Sequence, residues 1–219
     1  MYRLLVLLVL LAALGFIAFQ IFSFFFSINN TKSQKRRDLA KLKEDLKPLV
    51  DSLVALSDDE LELLSINKAS QSSKPGINPE ITGAFTSIYH EPLVVYGEKT
   101  YGPNGREKIT VVYTSEHEFV YLTKGIKTDV YVDDHELGTI HSDGNLYDTK
   151  GRQVAHIEAD DILATHPVKI GTREVGEIIN PLLAASPNPR AYTFLKPMDT
   201  DEKVLFMALT LLSLVEESH

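Results

Sequence analysis

Seven histidines are the first residues to test for chemistry: His90, His117, His135, His141, His156, His166 and His219. A zinc site needs three or four converging ligands, usually including a short-spaced pair such as HExxH, and no such spacing occurs. His135, His141 and His156 fall on neighbouring hairpin arms, which leaves convergence open; a solvated or hydrogen-bonded imidazole is the default. Asp143, Asn145 and Asp148 imitate the start of a calcium loop. An EF-hand requires Gly at the sixth loop position and Glu at the twelfth, and counted from Asp143 those positions hold Asp148 and Val154. Asp143-Gly144 fits a hairpin turn instead. The chain has no cysteine, which excludes disulfides, thiolate zinc, iron–sulfur clusters and Cys nucleophiles. It carries no G-x-S-x-G elbow and no Gly-rich phosphate loop. Asp133-Asp134 and Asp160-Asp161 could do acid–base work, but they occupy turn-like positions where carboxylates are ordinarily solvated. The sequence therefore predicts no enzyme, no metal and no cofactor. Aromatics between Phe85 and Tyr101, followed by Tyr113, Phe119 and Tyr121, could rim a binding surface; walls of a barrel are the plainer reading.

The elements that would position these residues begin with a membrane anchor. No charged residue lies between Arg3 and Lys32, and Leu4–Ile28 is almost wholly aliphatic or Phe. As a helix it would extend about 37 Å, more than the roughly 30 Å hydrocarbon core. A cleaved signal peptide has a shorter apolar core and a small-residue cleavage site, and Phe26-Ser27-Ile28-Asn29 offers none. Residues 4–28 are expected to contact the lipid bilayer. Lys and Arg concentrate after the run, so the positive-inside rule predicts a single-pass protein with its body in the cytoplasm. Residues 32–47 carry seven basic and three acidic groups, net +4, while residues 48–219 are net −13. The basic collar of Lys32, Lys35, Arg36, Arg37, Lys41 and Lys43 is a candidate site for anionic lipid; setting topology is the simpler role. The acidic body argues against nucleic acid.

Leu39, Leu42, Leu46, Leu49, Val50, Leu53 and Leu56 step by three and four, predicting an amphipathic helix interrupted at Pro48. Ser57-Asp58-Asp59-Glu60 reads as a capping box opening a short helix through Leu64, toward Ile66. Ala69–Pro79 reads as a linker. The expected organisation is an anchor at 1–31, a basic helical segment at 32–68, a linker at 69–79 and a β domain at 80–219. Within that domain VYVDDHELGTI (Val130–Ile140) and VKIGTREVGEI (Val168–Ile178) share one construction: strand, polar turn, aliphatic, Gly, any residue, Ile. LYDTKGRQVAHI between them places Ala155 where the others have Gly138 and Gly176. Small residues there suit a bend or close approach. Val204–Val215 is apolar on nearly every side, too short to cross a bilayer, and is predicted to be a buried core helix.

Repeated hairpins ending in a wholly apolar helix resemble the tubby-like superfamily, which includes tubby C-terminal domains, LURP-one-related proteins and phospholipid scramblases. The residues that carry the likeness are ELGTI, LYDTKGRQVAHI, EVGEI and FLKPMDTDEKVLFMALTLLSLVEE, within residues 80–217. The resemblance implies an antiparallel barrel closed around a hydrophobic C-terminal helix. No lipid- or calcium-binding residue of the family maps onto positions here. This chain also has its anchor at the N-terminus, whereas scramblases are thought to anchor through the terminal helix. The expected fold is mainly β, a curled antiparallel sheet or barrel around a buried apolar helix. The expected role is a non-enzymatic module binding protein or lipid at the membrane surface. A scramblase-like lipid handler and a membrane-tethered hydrolase are the alternatives.

Overall fold

A computed structural model describes residues 15–17, 32–76, 78–102, 105–158, 162–180, 183–184, 186 and 188–217. The predicted anchor at 4–28 lies outside these residues except for Gly15–Ile17, which are helical. Among the described residues no helix is long and apolar enough to cross a membrane. The chain divides into two compact units, Met1–Asp38 and Leu39–His219. In the first, Lys32–Asp38 open the helix α1 (Lys32–Val50), and Gln34 Nε2 donates to Asp38 Oδ1 at 3.1 Å.

The second unit holds the rest of α1, the short α2 (Asp58–Glu62), twelve strands and a final helix α3 (Thr200–Glu217). The strands are β1 (Leu64–Lys74), β2 (Glu80–Ser87), β3 (Pro92–Tyr101), β4 (Glu107–Tyr113), β5 (Glu118–Lys124) and β6 (Lys127–Val132). They continue as β7 (His135–His141), β8 (Asn145–Asp148), β9 (Gln153–Ile157), β10 (Thr165–Ile170), β11 (Arg173–Ile179) and β12 (Tyr192–Thr193). Each strand pairs antiparallel with the next in chain order. The β-branched and aromatic runs ITVVY in β4, FVYL in β5 and VYV in β6 favour extended backbone packed on one face. The sheet nearly closes on itself: Ser65 bridges Arg190, and Ala191 N–H donates to the Leu64 carbonyl. Side chains pin this seam, with Ser65 Oγ donating to Asn188 Oδ1 at 2.5 Å and Asn188 Nδ2 donating to the Ile88 carbonyl at 3.2 Å.

The three similar hairpins share one irregularity. Val130 pairs with Gly138 and Tyr131 with Glu136, so Leu137 is an extra residue. Leu146 pairs with Ala155 and Tyr147 with Gln153, which leaves Val154. Val168 pairs with Gly176 and Lys169 with Glu174, which leaves Val175. A bulge at the same place in each hairpin bends the strand and increases its twist, and the extra residue packs on the core each time. The small neighbour is required where the chains approach: a Cβ on Gly138, whose φ is +156°, would lie 1.9 Å from the Tyr147 carbonyl oxygen.

The barrel core is α3. Phe206–Leu209, Leu211, Leu212, Leu214 and Val215 are all buried and join one cluster with inward residues of strands β2 to β12. Three buried hydroxyls are satisfied inside it. Tyr121 OH donates to the Ala208 carbonyl at 2.8 Å, Tyr192 OH lies 2.9 Å from Thr210 Oγ1, and Thr210 Oγ1 donates to the Phe206 carbonyl at 2.8 Å.

Several expectations need correction. Most of the predicted linker at 69–79 is strand, since β1 runs from Leu64 to Lys74 and pairs with β2 down to Lys74–Glu80. Its Ser-, Gln- and Lys-rich end is exposed, so it lacks the apolar alternation that marks a strand. The barrel thus begins at Leu64, before the predicted start at residue 80, and the helix expected to reach Leu64 stops at Glu62. Pro48 does not restart α1; the helix passes through it and ends two residues later at Val50.

Candidate functional site

The interior is occupied by α3, so the accessible surfaces are the rims and outer wall. Among the described residues, concave surface occurs at the mouth where α3 enters. There α3 is capped by a reciprocal box: Glu202 N–H donates to Asp199 Oδ1 at 2.8 Å, and Asp199 N–H to Glu202 Oε2 at 3.1 Å. Arg173, the first residue of β11, bonds Glu202 and donates to the Pro197 carbonyl at 3.1 Å. The Arg173 guanidinium, helped by the Asp199 amide, holds the Glu202 carboxyl below its ordinary range. Lys203 reaches across to the Leu56 carbonyl at 3.0 Å and to Asp58 at 3.1 Å. Ser57 caps α2 by accepting the Glu60 N–H at 3.2 Å. Leu56 N–H donates to Ser115 Oγ at 2.9 Å, which fixes the β4–β5 turn beside α2.

Two adjoining clefts result, of about 200 Å³ and about 160 Å³, sharing Asp58 and Met198. Their apolar lining is Leu61, Leu195, Pro197, Met198, Val204 and Met207. Asp58, Glu62, Glu116 and Asp199 supply carboxylates, against Lys196 and Lys203, both already ion-paired. His117 closes one side, with Nδ1 2.7 Å from Asp133 Oδ2 and its ring edge-on to Phe119. Burial would raise the Asp133 carboxyl, but the Glu118 amide and the His117 ring outweigh it and hold the group below its usual range. Next to Leu195, Phe194 is 76% exposed with φ +53°. A left-handed backbone at an aromatic residue costs about 1–3 kcal/mol and is maintained by its surroundings.

Compared with protein-family models, curated proteins and solved structures, the chain finds no match. What the structure shows is the coarser fold, a nearly closed antiparallel barrel with a C-terminal helix.

The predicted lipid collar divides. Lys32, Arg36 and Arg37 are exposed and Lys35 is half-buried. Lys41 instead pairs with Asp45 at 3.1 Å and Glu80 at 3.6 Å, and Lys43 bonds Glu118 and, at 3.3 Å, Asp134. The hydrogen bond to Asp45 and the nearby Glu80 raise the Lys41 amine. For Lys43 burial acts downward, and Glu118 and Asp134 outweigh it, so it too is raised. These two lysines clasp α1 to the barrel wall, where Leu42 and Leu46 join Tyr101, Ile109, Val111 and Val120. Gly97 makes room: a Cβ there would meet Leu42 at 2.7 Å.

His135 and His141 stand at opposite ends of β7, so they do not converge with His156; His219 lies outside the described residues. Among the described residues no group of three or more His, Asp or Glu is arranged to hold a metal. Asp133 and Asp134 form the β6–β7 turn, both at positive φ; Asp160-Asp161 lie outside the described residues. Phe85, Tyr96, Tyr101, Phe119 and Tyr121 are fully buried, and Tyr89 is exposed on the β2–β3 turn. The mouth itself was not singled out from sequence. Its signal was the FLKPM segment, where an aromatic, a proline and a methionine precede a helix cap.

Proposed function

We propose that this chain is a divergent tubby-like, single-pass membrane protein whose cytoplasmic barrel is a non-enzymatic module for a protein partner. The observation that supports this reading is the occupation of the barrel by α3, beside a mouth with an apolar floor and a carboxylate rim. The partner it fits is a segment with an apolar anchor flanked by Lys or Arg. Residues 4–28 and the basic residues after them support tethering and sidedness.

The cysteine-free sequence makes sidedness directly testable. A single cysteine at Lys150→Cys, on the exposed β8–β9 turn, is expected to resist an impermeant thiol reagent in intact cells; labelling overturns the cytoplasmic side. For the mouth, the full chain in nanodiscs is titrated with a fluorescent Leu/Lys amphipathic peptide. The double change Glu62→Lys and Glu116→Lys is expected to weaken binding roughly tenfold, equivalent to about 1.4 kcal/mol. Unchanged affinity would remove the mouth as the partner site.

A further inference from the structure

The opposite rim carries a turn that folding does not explain. Lys124 and Lys127 are directly paired at the end of the β5–β6 hairpin, and like charges in that position destabilise it. Between them Gly125, at φ +67°, takes the first turn position, as two-residue hairpins with glycine there require. The second is Ile126, a β-branched residue 69% exposed, at a tip where polar residues are usual. Gly125 N–H donates to the Arg106 carbonyl at 2.8 Å, which brings a third cation alongside. Arg106, Lys124 and Lys127 are exposed, and none is ion-paired with another described residue. The neighbouring carboxylates are Glu107, across from Lys124, and Asp143, on the turn whose Ser142 N–H donates to the Ile126 carbonyl. Cations thus outnumber acids here, on a body that is net −13.

The same rim continues the apolar display. In an up-and-down sheet every odd-to-even connection falls at one end, and two more of these connections expose aliphatics. Ile162 is 85% exposed and Leu163 47% on the β9–β10 connection, and Leu183 is 46% exposed on the β11–β12 connection. Asn180 joins the two by donating its N–H to the Ala164 carbonyl and its Nδ2 to the Leu163 carbonyl.

We propose that this rim docks on an anionic bilayer, with Ile126 entering the headgroup–acyl boundary and Arg106, Lys124 and Lys127 meeting lipid phosphates. An exposed aliphatic between cations matches that interface, where apolar tips insert and basic side chains remain with the headgroups. The inference rests on the membrane-tethered reading for a bilayer within reach. It leaves the mouth, on the other rim, facing away from the lipid.

The test reconstitutes the full chain, carrying Ile126→Cys labelled with an environment-sensitive fluorophore, into nanodiscs. One set is neutral phosphatidylcholine and the other contains about 30% phosphatidylserine. Blue-shifted emission and quenching by a headgroup-region nitroxide lipid are expected only in the anionic discs. Adding Lys124→Glu and Lys127→Glu, or ~0.5 M salt, is expected to cut the quenching roughly threefold; circular dichroism checks that the variant is folded. The same label on Lys150→Cys, at the opposite rim, is expected to stay aqueous. An aqueous signal at 126, equal quenching in neutral discs, or equal quenching at 150 overturns the docking rim while leaving the anchor intact. Failure of the chain to co-elute with discs overturns the anchor reading and this proposal with it.

Discussion

Tyr121 and Tyr192 place hydroxyls inside the barrel, but they are not equivalent. Tyr121 donates to the Ala208 carbonyl in the middle of α3, and its loss removes a buried bond with nothing to replace it. Tyr121→Phe is expected to lower stability by about 1 kcal/mol, read as a shifted urea midpoint. Tyr192 meets Thr210, whose hydroxyl also donates to the Phe206 carbonyl, so Tyr192→Phe is expected to cost less. Burial pushes both phenols up, and in alkaline titration neither should ionise before the protein unfolds. Gly138 is less tolerant than either. Its positive φ and the 1.9 Å approach of a Cβ to the Tyr147 oxygen predict that Gly138→Ala costs more than about 2 kcal/mol. Ala155, at the equivalent place, is outside the positive-φ set, which is why a methyl is accepted there. The small residue was readable in the sequence; the bulge beside it was not, because an extra residue in a strand leaves no compositional mark.

At the scale of elements, α1 is held against the wall by a leucine stripe and two groups of ion pairs. Leu42→Ala removes a fully buried side chain, at a cost of about 2–5 kcal/mol. Hydrogen exchange is expected to speed up in Leu39–Val50 while the strands stay protected; uniform loss of protection would show that the helix and barrel unfold as one. The pairing around Asp45 gives a pH dependence. Hydrogen bonding from Lys41, then from Lys74, lowers its carboxyl against the opposing effect of burial. A depressed carboxylate contributes stability above its unfolded value, near 3.8, and loses it as pH falls through the lower native value. Lys41 and Lys74 are raised above 10.5, so their contribution is complete below 10.5 and lost as pH rises through the native value. Asp45→Asn is therefore expected to cost at most about 1 kcal/mol at neutral pH, with the gap to wild type closing below pH ~4; a gap that persists at pH ~2 would assign the effect to packing. Periodicity disclosed the stripe of α1 because leucines at steps of three and four have one simple explanation. It missed β1 because strand identity there is set by pairing with β2, not by the polar side chains of Gln71, Ser72 and Ser73.

For the whole molecule, the wholly apolar run 204–215 disclosed the architecture, since a helix without a polar face needs cover on all sides. Leu209→Asp places an unpaired charge in that cover and is expected to abolish the cooperative thermal transition. The mouth was harder to foresee because α2, the β4–β5 turn, the segment before α3 and α3 itself each contribute a few residues. Only the nearly closed ring of strands makes neighbours of them. Chain order adds a constraint on biosynthesis. All twelve strands emerge from the ribosome before Thr200–Glu217, so the sheet is complete in sequence while its interior is still empty. At roughly 5–20 residues per second, the curled strands spend on the order of seconds with their apolar faces uncovered. Until Thr200–Glu217 is added, the strands lack the helix that covers their apolar faces, and exposed apolar surface of this kind favours aggregation.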